Sequence, residues 1–232
     1  MTDPDHATTT AALLLLADSR LPAGGHAHSG GVEQAVTTGR VHDVTSLDAF
    51  LRGRLSAAGA QAAAVAAYAC RLAGHDSADG GDWRRLDDEV SARLPSLAQR
   101  EVSRAQGRAL LRVVGRCWPA PVLSWLGERP HHAVVQGVAV ALTGGGAHDA
   151  ALLVASASVT GPASAALRLL GLDPVDVTRL VANLAPDIDH CAAYGAEASA
   201  VDDAALLPAP ALPMLDVLAE NHARSEVKLF AS

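Results

Sequence analysis

Aromatic side chains are scarce in this sequence: three tryptophans, two tyrosines and two phenylalanines among 232 residues. Half of the residues are nevertheless hydrophobic, so alanine, leucine and valine must fill the core. Such small side chains let helices approach closely, and alanine is the best helix former. A chain of this length can bury one substantial core, so one domain is enough. Basic runs are also missing, and the net charge is −7. Phosphate backbones are held by clustered Lys and Arg, which excludes nucleic-acid binding as a class. The N-terminus lacks the basic region of a secretory signal. No stretch of about 20 strongly apolar residues predicts a membrane span. Residues 57–70 come nearest, but alanine is weakly hydrophobic and Gln61 interrupts them. The cysteines Cys70, Cys117 and Cys191 are far apart and form no CxxC pair. A reduced, cytoplasmic protein is the expectation.

What the sequence does contain is helical periodicity. Leu47, Leu51, Leu55, Ala58, Ala62, Val65, Ala69 and Leu72 recur in steps of four and three. That spacing predicts a helix over 46–72 with one buried stripe, and Thr45 with Asp48 reads as its capping pair. Further helices are predicted over 83–94, 97–117, 131–142, 148–159, 163–170 and 175–184, with a turn and short helix at 119–125. Gly171 reads as a helix stop, Asp173 as an N-cap and Pro174 as a first-turn residue. No run alternates long enough for a strand. The expected fold is all-α: a single-domain bundle of about eight to ten helices over residues 11–195. Residues 1–10 are expected to be a disordered N-terminus, and 196–232 a linker with a C-terminal docking tail. The tail ends on the apolar Leu229-Phe230, although chain ends are normally polar. Either the body of the protein or a partner is expected to bury it.

One segment stands apart, residues 21–33, LPAGGHAHSGGVE. Its glycines and proline exclude a helix interior and suit close backbone approach. Nucleotide chemistry finds no support, because Gly144-Gly145-Gly146 is followed by Ala-His-Asp and not by Gly-Lys-Ser/Thr. Ala27-His28-Ser29-Gly30-Gly31 falls one residue short of a nucleophile elbow and follows no strand. A small metal- or serine-dependent hydrolase using His26, His28 and Ser29 therefore stands only as an alternative. His131-His132 and the group Asp187, Asp189, His190, Cys191 carry ligand types, but none at a recognised zinc spacing. His26 and His28 are the candidates for transient metal contact. Ser29 also suits a helix cap, with Gly30 and Gly31 permitting another backbone to pack closely.

Read together with the tail, the segment resembles the N-terminal signature of the UreF family of urease accessory proteins, roughly L-P-V-G-G-F-S-Y-S-x-G-L-E. Leu21, Pro22, Gly24, Gly25, Ser29, Gly31 and Glu33 match it. Asp216, His222, Leu229, Phe230 and Ser232 are similar to the family's C-terminal segment. Ser103, Gln106, Gly107, Leu110 and Leu111 also resemble the family, as does the helix after His131-His132, so the resemblance spans nearly the whole chain. It implies a non-enzymatic, all-α maturation factor, usually a homodimer. Such a factor binds the accessory protein UreD (UreH), recruits the GTPase UreG and serves nickel delivery to apo-urease. No resident cofactor is implied, since the assembled complex handles nickel transiently, and neither nucleic acid nor membrane is a partner. The implied partner-binding residues are Leu21, Pro22, Gly24, Gly25, His28, Ser29, Gly31, Glu33, Asp216, His222, Lys228, Leu229 and Phe230. His26 and His28 replace family aromatics, and Asn221-His222-Ala223 and Glu226-Val227-Lys228 replace Arg-His-Glu and Tyr-Ser-Arg. A helical scaffold unrelated to urease is the remaining alternative.

Overall fold

The computed structural model describes residues 4–18, 20–22, 27–75 and 78–230, with the backbone alone for 4–9. Among these residues there are eleven α-helices and no strand. In chain order they are α1 (Pro4–Ala17), α2 (Val32–Thr37), α3 (Val44–Arg54), α4 (Ala60–Ala73), α5 (Gly80–Ala92) and α6 (Leu97–Cys117). α7 (His132–Leu142), α8 (Ala147–Leu170), α9 (Pro174–Asn183), α10 (Ala185–Ala198) and α11 (Pro213–Arg224) follow. α1 begins inside the segment expected to be disordered. A π turn (Leu55–Gly59) joins α3 to α4, and a 3-10 turn (Pro121–Leu126) precedes α7.

α4 is the axis of the bundle and packs on α7, α8 and α10. Ala63, Ala64, Ala66, Ala67 and Ala69 have no exposed surface, so the helix is buried on every side. Alanine makes this possible, because a short side chain brings neighbouring backbones close. The limit is reached at Gly137 of α7, where a Cβ would lie 2.1 Å from the Ala66 carbonyl oxygen. Two apolar clusters flank α4. One gathers α2, α3, α9 and the C-terminal end of the chain, the other α5, α6 and α7.

The helix expected over 46–72 starts earlier, at Val44, and runs on to Ala73 with a π turn inside it. Asp43 is its N-cap: Ser46 N–H donates to Asp43 Oδ1 at 2.7 Å, while Asp43 N–H donates to Ser46 Oγ at 3.0 Å. This reciprocal pair displaces Thr45 as the cap. The helices expected at 148–159 and 163–170 are one helix, α8, which passes through Pro162. Proline has no N–H for the carbonyl four residues back, Ser158. That carbonyl accepts from Arg54 Nε instead, at 3.2 Å. α8 is also apolar and long enough by composition to cross a bilayer, unlike residues 57–70. Yet 61% of its most apolar window is buried inside the protein, as expected of a core helix.

Residues 185–198, not predicted as a helix, form α10, and the linker region is pinned to the body. Arg93 Nη2 donates to the carbonyls of Ala205 and Leu207 at 2.9 and 2.8 Å, and Arg85 pairs with Asp203. His131 is fully buried, its ring lying 3.0 Å from both Ser91 Oγ and Ser103 Oγ. Burial pushes its imidazole down to about 4, against the opposing pull of Asp87. It is a satisfied core histidine.

Candidate docking site at the glycine-rich loop and C-terminal segment

The loop enters α2 through two left-handed glycines, Gly30 (φ +61°) and Gly31 (φ +92°). This conformation is open to glycine and strained for residues with a Cβ. The N-cap of α2 is Gly31 and not Ser29, but Ser29 serves the same turn from two residues earlier: its carbonyl accepts from Val32 N–H and its Oγ from Glu33 N–H, both at 3.3 Å. Ser29 has no exposed surface, so its hydroxyl serves the helix start and is not presented to a substrate. Val32, Glu33, Gln34 and Ala35 are all buried.

Glu33 is the centre of the site. Its Oε1 accepts from Leu229 N–H at 2.6 Å and its Oε2 from Phe230 N–H at 3.1 Å. His222 Nε2 lies 3.6 Å from the same Oε2, within ion-pair distance, and has no hydrogen-bond partner among the described residues. Glu33 is 7% exposed and His222 4%. A carboxylate so far from water is stable only when its oxygens are paired, and here the end of the chain supplies the donors. Gln34 Oε1 accepts from Ser225 Oγ at 3.4 Å. Phe230 is buried in the apolar cluster beside α2, with the Arg168 guanidinium 4.8 Å above its ring. Such a cation–π contact adds about 0.5–1 kcal/mol.

α11 carries this segment and is tied down on its other side. Glu220 Oε1 accepts from Ser96 Oγ at 2.6 Å and from Ala98 N–H at 3.0 Å, at the start of α6. The Ser96 hydroxyl, and then the Ala98 amide, hold the Glu220 carboxyl below its usual range. Leu215, Leu218 and His222 face inward along α11. Met214, Val217, Val227 and Leu229 face outward, the last two 88% and 77% exposed. The chain end is therefore divided, with Phe230 buried by the body and Leu229 presented to solvent.

Ser29, Gly31, Glu33, His222, Leu229 and Phe230 thus come together. Of the other residues singled out in the sequence, His28, Asp216 and Lys228 sit on the same two segments. Leu21 packs on the second apolar cluster, and Pro22 is exposed. His28 lies beside His132 of α7: burial, and then the charge of His28, push the His132 imidazole down to about 4. Burial raises the Asp216 carboxyl on α11, and Lys228 Nζ donates to the Ala223 carbonyl at 2.9 Å. Gly24, Gly25, His26 and Ser232 lie outside the described residues. Among the described residues no group of three His, Cys, Asp or Glu is placed to hold a metal. The Asp187 carboxylate accepts from Arg52 Nη1 at 2.6 Å. Arg54, Gln34, Arg168 and Ser225 were not singled out. Arg54 alone carries a local signal, a charge beside the apolar stripe of α3.

Comparison with known proteins agrees with this architecture. The sequence model of the UreF family matches residues 41–185, most of the helical body. The chain is 45% identical over 225 residues to the urease accessory protein UreF of Mycobacterium marinum, covering 97% of this chain and all of that protein. It is 44% identical over 226 residues to that of Mycolicibacterium vanbaalenii, with the same coverage. Identity to the Mycobacterium tuberculosis protein of the same name is 41% over 225 residues, again covering 97% and all of the two chains. A helical body, a capped glycine turn and a clamped C-terminal segment thus accompany full-length similarity, and the chain belongs to the UreF family of urease accessory proteins.

Proposed function

We propose that this chain is a urease maturation factor that docks its partners through the face formed by residues 27–34 and 213–230. In this reading it is a cytoplasmic homodimer that binds a UreD/UreH-type accessory protein and recruits a UreG-type GTPase. The assembly then delivers nickel, its cargo, to apo-urease, and the chain itself performs no catalysis. The observation that carries the reading is the clamp at Glu33. A short segment held to the body by a few directed bonds presents Val227 and Leu229 to solvent, and exposed apolar side chains of this kind favour association.

The test is a truncation that leaves α11 in place. Removing 213–232 would take away Leu215, Leu218 and His222 and open the apolar cluster. A chain ending at Arg224 keeps them and loses the clamped segment, with Phe230 the one buried apolar side chain removed. Co-expressed with the UreD-type protein, it is expected to capture at least tenfold less partner than the intact chain, with an unchanged helical circular-dichroism signal. Equal capture by the two chains would contradict the proposal.

A further inference from the structure

Arg54 is a largely buried cation whose hydrogen bonds go to two backbone carbonyls. Nε donates to Ser158 O at 3.2 Å and Nη1 to Gly30 O at 2.8 Å. Burial alone pulls its guanidinium down to about 10, and no carboxylate pairs with it among the described residues. Neither carbonyl is an ordinary surface group. Ser158 O is the acceptor that Pro162 leaves without its helical N–H. Gly30 O belongs to the left-handed turn that opens α2. The same turn is closely packed: a Cβ on Gly30 would lie 2.9 Å from Pro162 Cγ and 3.1 Å from Arg54 Cζ. A planar guanidinium with its donors in a fixed fork can hold two acceptors in one orientation, which an ammonium cannot.

We infer that Arg54 is a positioning residue for the docking site, locking the Gly30–Gly31 turn onto the proline-marked segment of α8 so that Glu33 meets Leu229 and Phe230. The chain of contacts is continuous. Arg54 fixes Gly30, Gly31 begins α2, and Glu33 in the first turn of α2 receives the C-terminal amides. The carbonyl exposed by Pro162 thereby anchors the loop through Arg54. The consequence for partner binding rests on the docking proposal above; the consequence for the loop and the C-terminal amides does not.

Two variants separate positioning from mere stability. Arg54→Met removes both bonds while keeping an apolar stem. Adding Pro162→Ala restores a backbone N–H to Ser158 O but leaves Gly30 O untethered. Hydrogen exchange on the full chain is expected to rise at least tenfold at the amides of Val32, Glu33, Leu229 and Phe230 in Arg54→Met. In the double variant the unfolding midpoint should recover while that exchange stays fast. Wild-type exchange in Arg54→Met, or exchange that recovers together with the midpoint, would overturn the inference. If Arg54→Met does not fold, Arg54→Lys serves instead: one donor group reaching one carbonyl should give intermediate exchange, and wild-type protection would overturn the inference. Capture of the UreD-type protein by the double variant should fall at least tenfold. Fast exchange with undiminished capture would leave Arg54 as a positioning residue and overturn the docking proposal.

Discussion

Replacing Gly137 with alanine is expected to destabilise the protein by about 3 kcal/mol, for the addition of one methyl group. The added Cβ would lie 2.1 Å from Ala66 O, 2.8 Å from Ala69 Cβ and 3.0 Å from Ala66 C. These are backbone and first side-chain atoms, so no flexible side-chain end can swing away. α4 cannot retreat either, because α8 and α10 hold its other faces. Relief requires pushing whole helices apart, which opens gaps around the buried alanines. Gly115→Ala in α6 is the contrast, since the new Cβ would meet only Leu123 Cδ1 at an ordinary 3.9 Å. There the gain in helix propensity should leave stability unchanged or raise it by up to about 1 kcal/mol. Urea unfolding of the two variants checks both expectations. A Gly137→Ala midpoint equal to wild type would mean that the α4–α7 contact is not tight.

The periodicity in the sequence leads directly to much of this body. α6 spans the residues predicted for it, and the Gly171, Asp173 and Pro174 signals mark the α8–α9 junction as observed, with Gly171 left-handed and Asp173 capping. What local sequence cannot reveal is help from afar. Gly161-Pro162 reads as a break because proline removes a bond, and the residue that replaces it, Arg54, is 104 positions away. α10 is different, because its signal is local. Ile188, Cys191, Ala192 and Gly195 recur at helical spacing and are its buried face, but the acidic and histidine residues between them invite a ligand reading.

Replacing Glu33 with alanine is expected to free the C-terminal segment while leaving the rest of the fold in place. The substitution removes the acceptor of two backbone N–H groups, each such bond to a charged group contributing about 1.5–3 kcal/mol. It also removes the one oxygen near His222 Nε2, leaving that buried ring without a counterpart among the described residues. Among the described residues, 225–230 is otherwise held by the Phe230 contacts, the Ser225 bonds and the Lys228 bond to Ala223 O. With a factor of ten for every 1.4 kcal/mol, exchange at the Leu229 and Phe230 amides should quicken at least a hundredfold. Glu33→Gln keeps one carbonyl oxygen and should fall between. The global unfolding midpoint should drop by about 6–12 °C with one cooperative transition retained, because Leu215, Leu218 and the Glu220 bonds still hold α11. Protected amides in Glu33→Ala would show that the burial of Phe230, and not the carboxylate, holds the segment.

The two halves of this site are conspicuous in the sequence as a glycine-rich loop and an apolar chain end. Their meeting is not, because Glu33 and Phe230 are 197 positions apart and no periodicity links them. Nor does the sequence tell inward from outward. Glu33 reads as a residue offered to a partner, whereas it is buried and grips the chain's own end. The outward residues are Val227 and Leu229, beside the exposed Met214 and Val217 of α11. His28 lies beside His132 of α7.

If this chain matures urease as proposed, its clamped C-terminal segment is required for that function. Co-expression with a urease gene cluster lacking its own UreF-type factor, scored as nickel-dependent urease activity, tests it most directly. The intact chain should restore activity, and the chain ending at Arg224 should not. No activity from well-expressed intact chain, or equal activity from both, would contradict the claim.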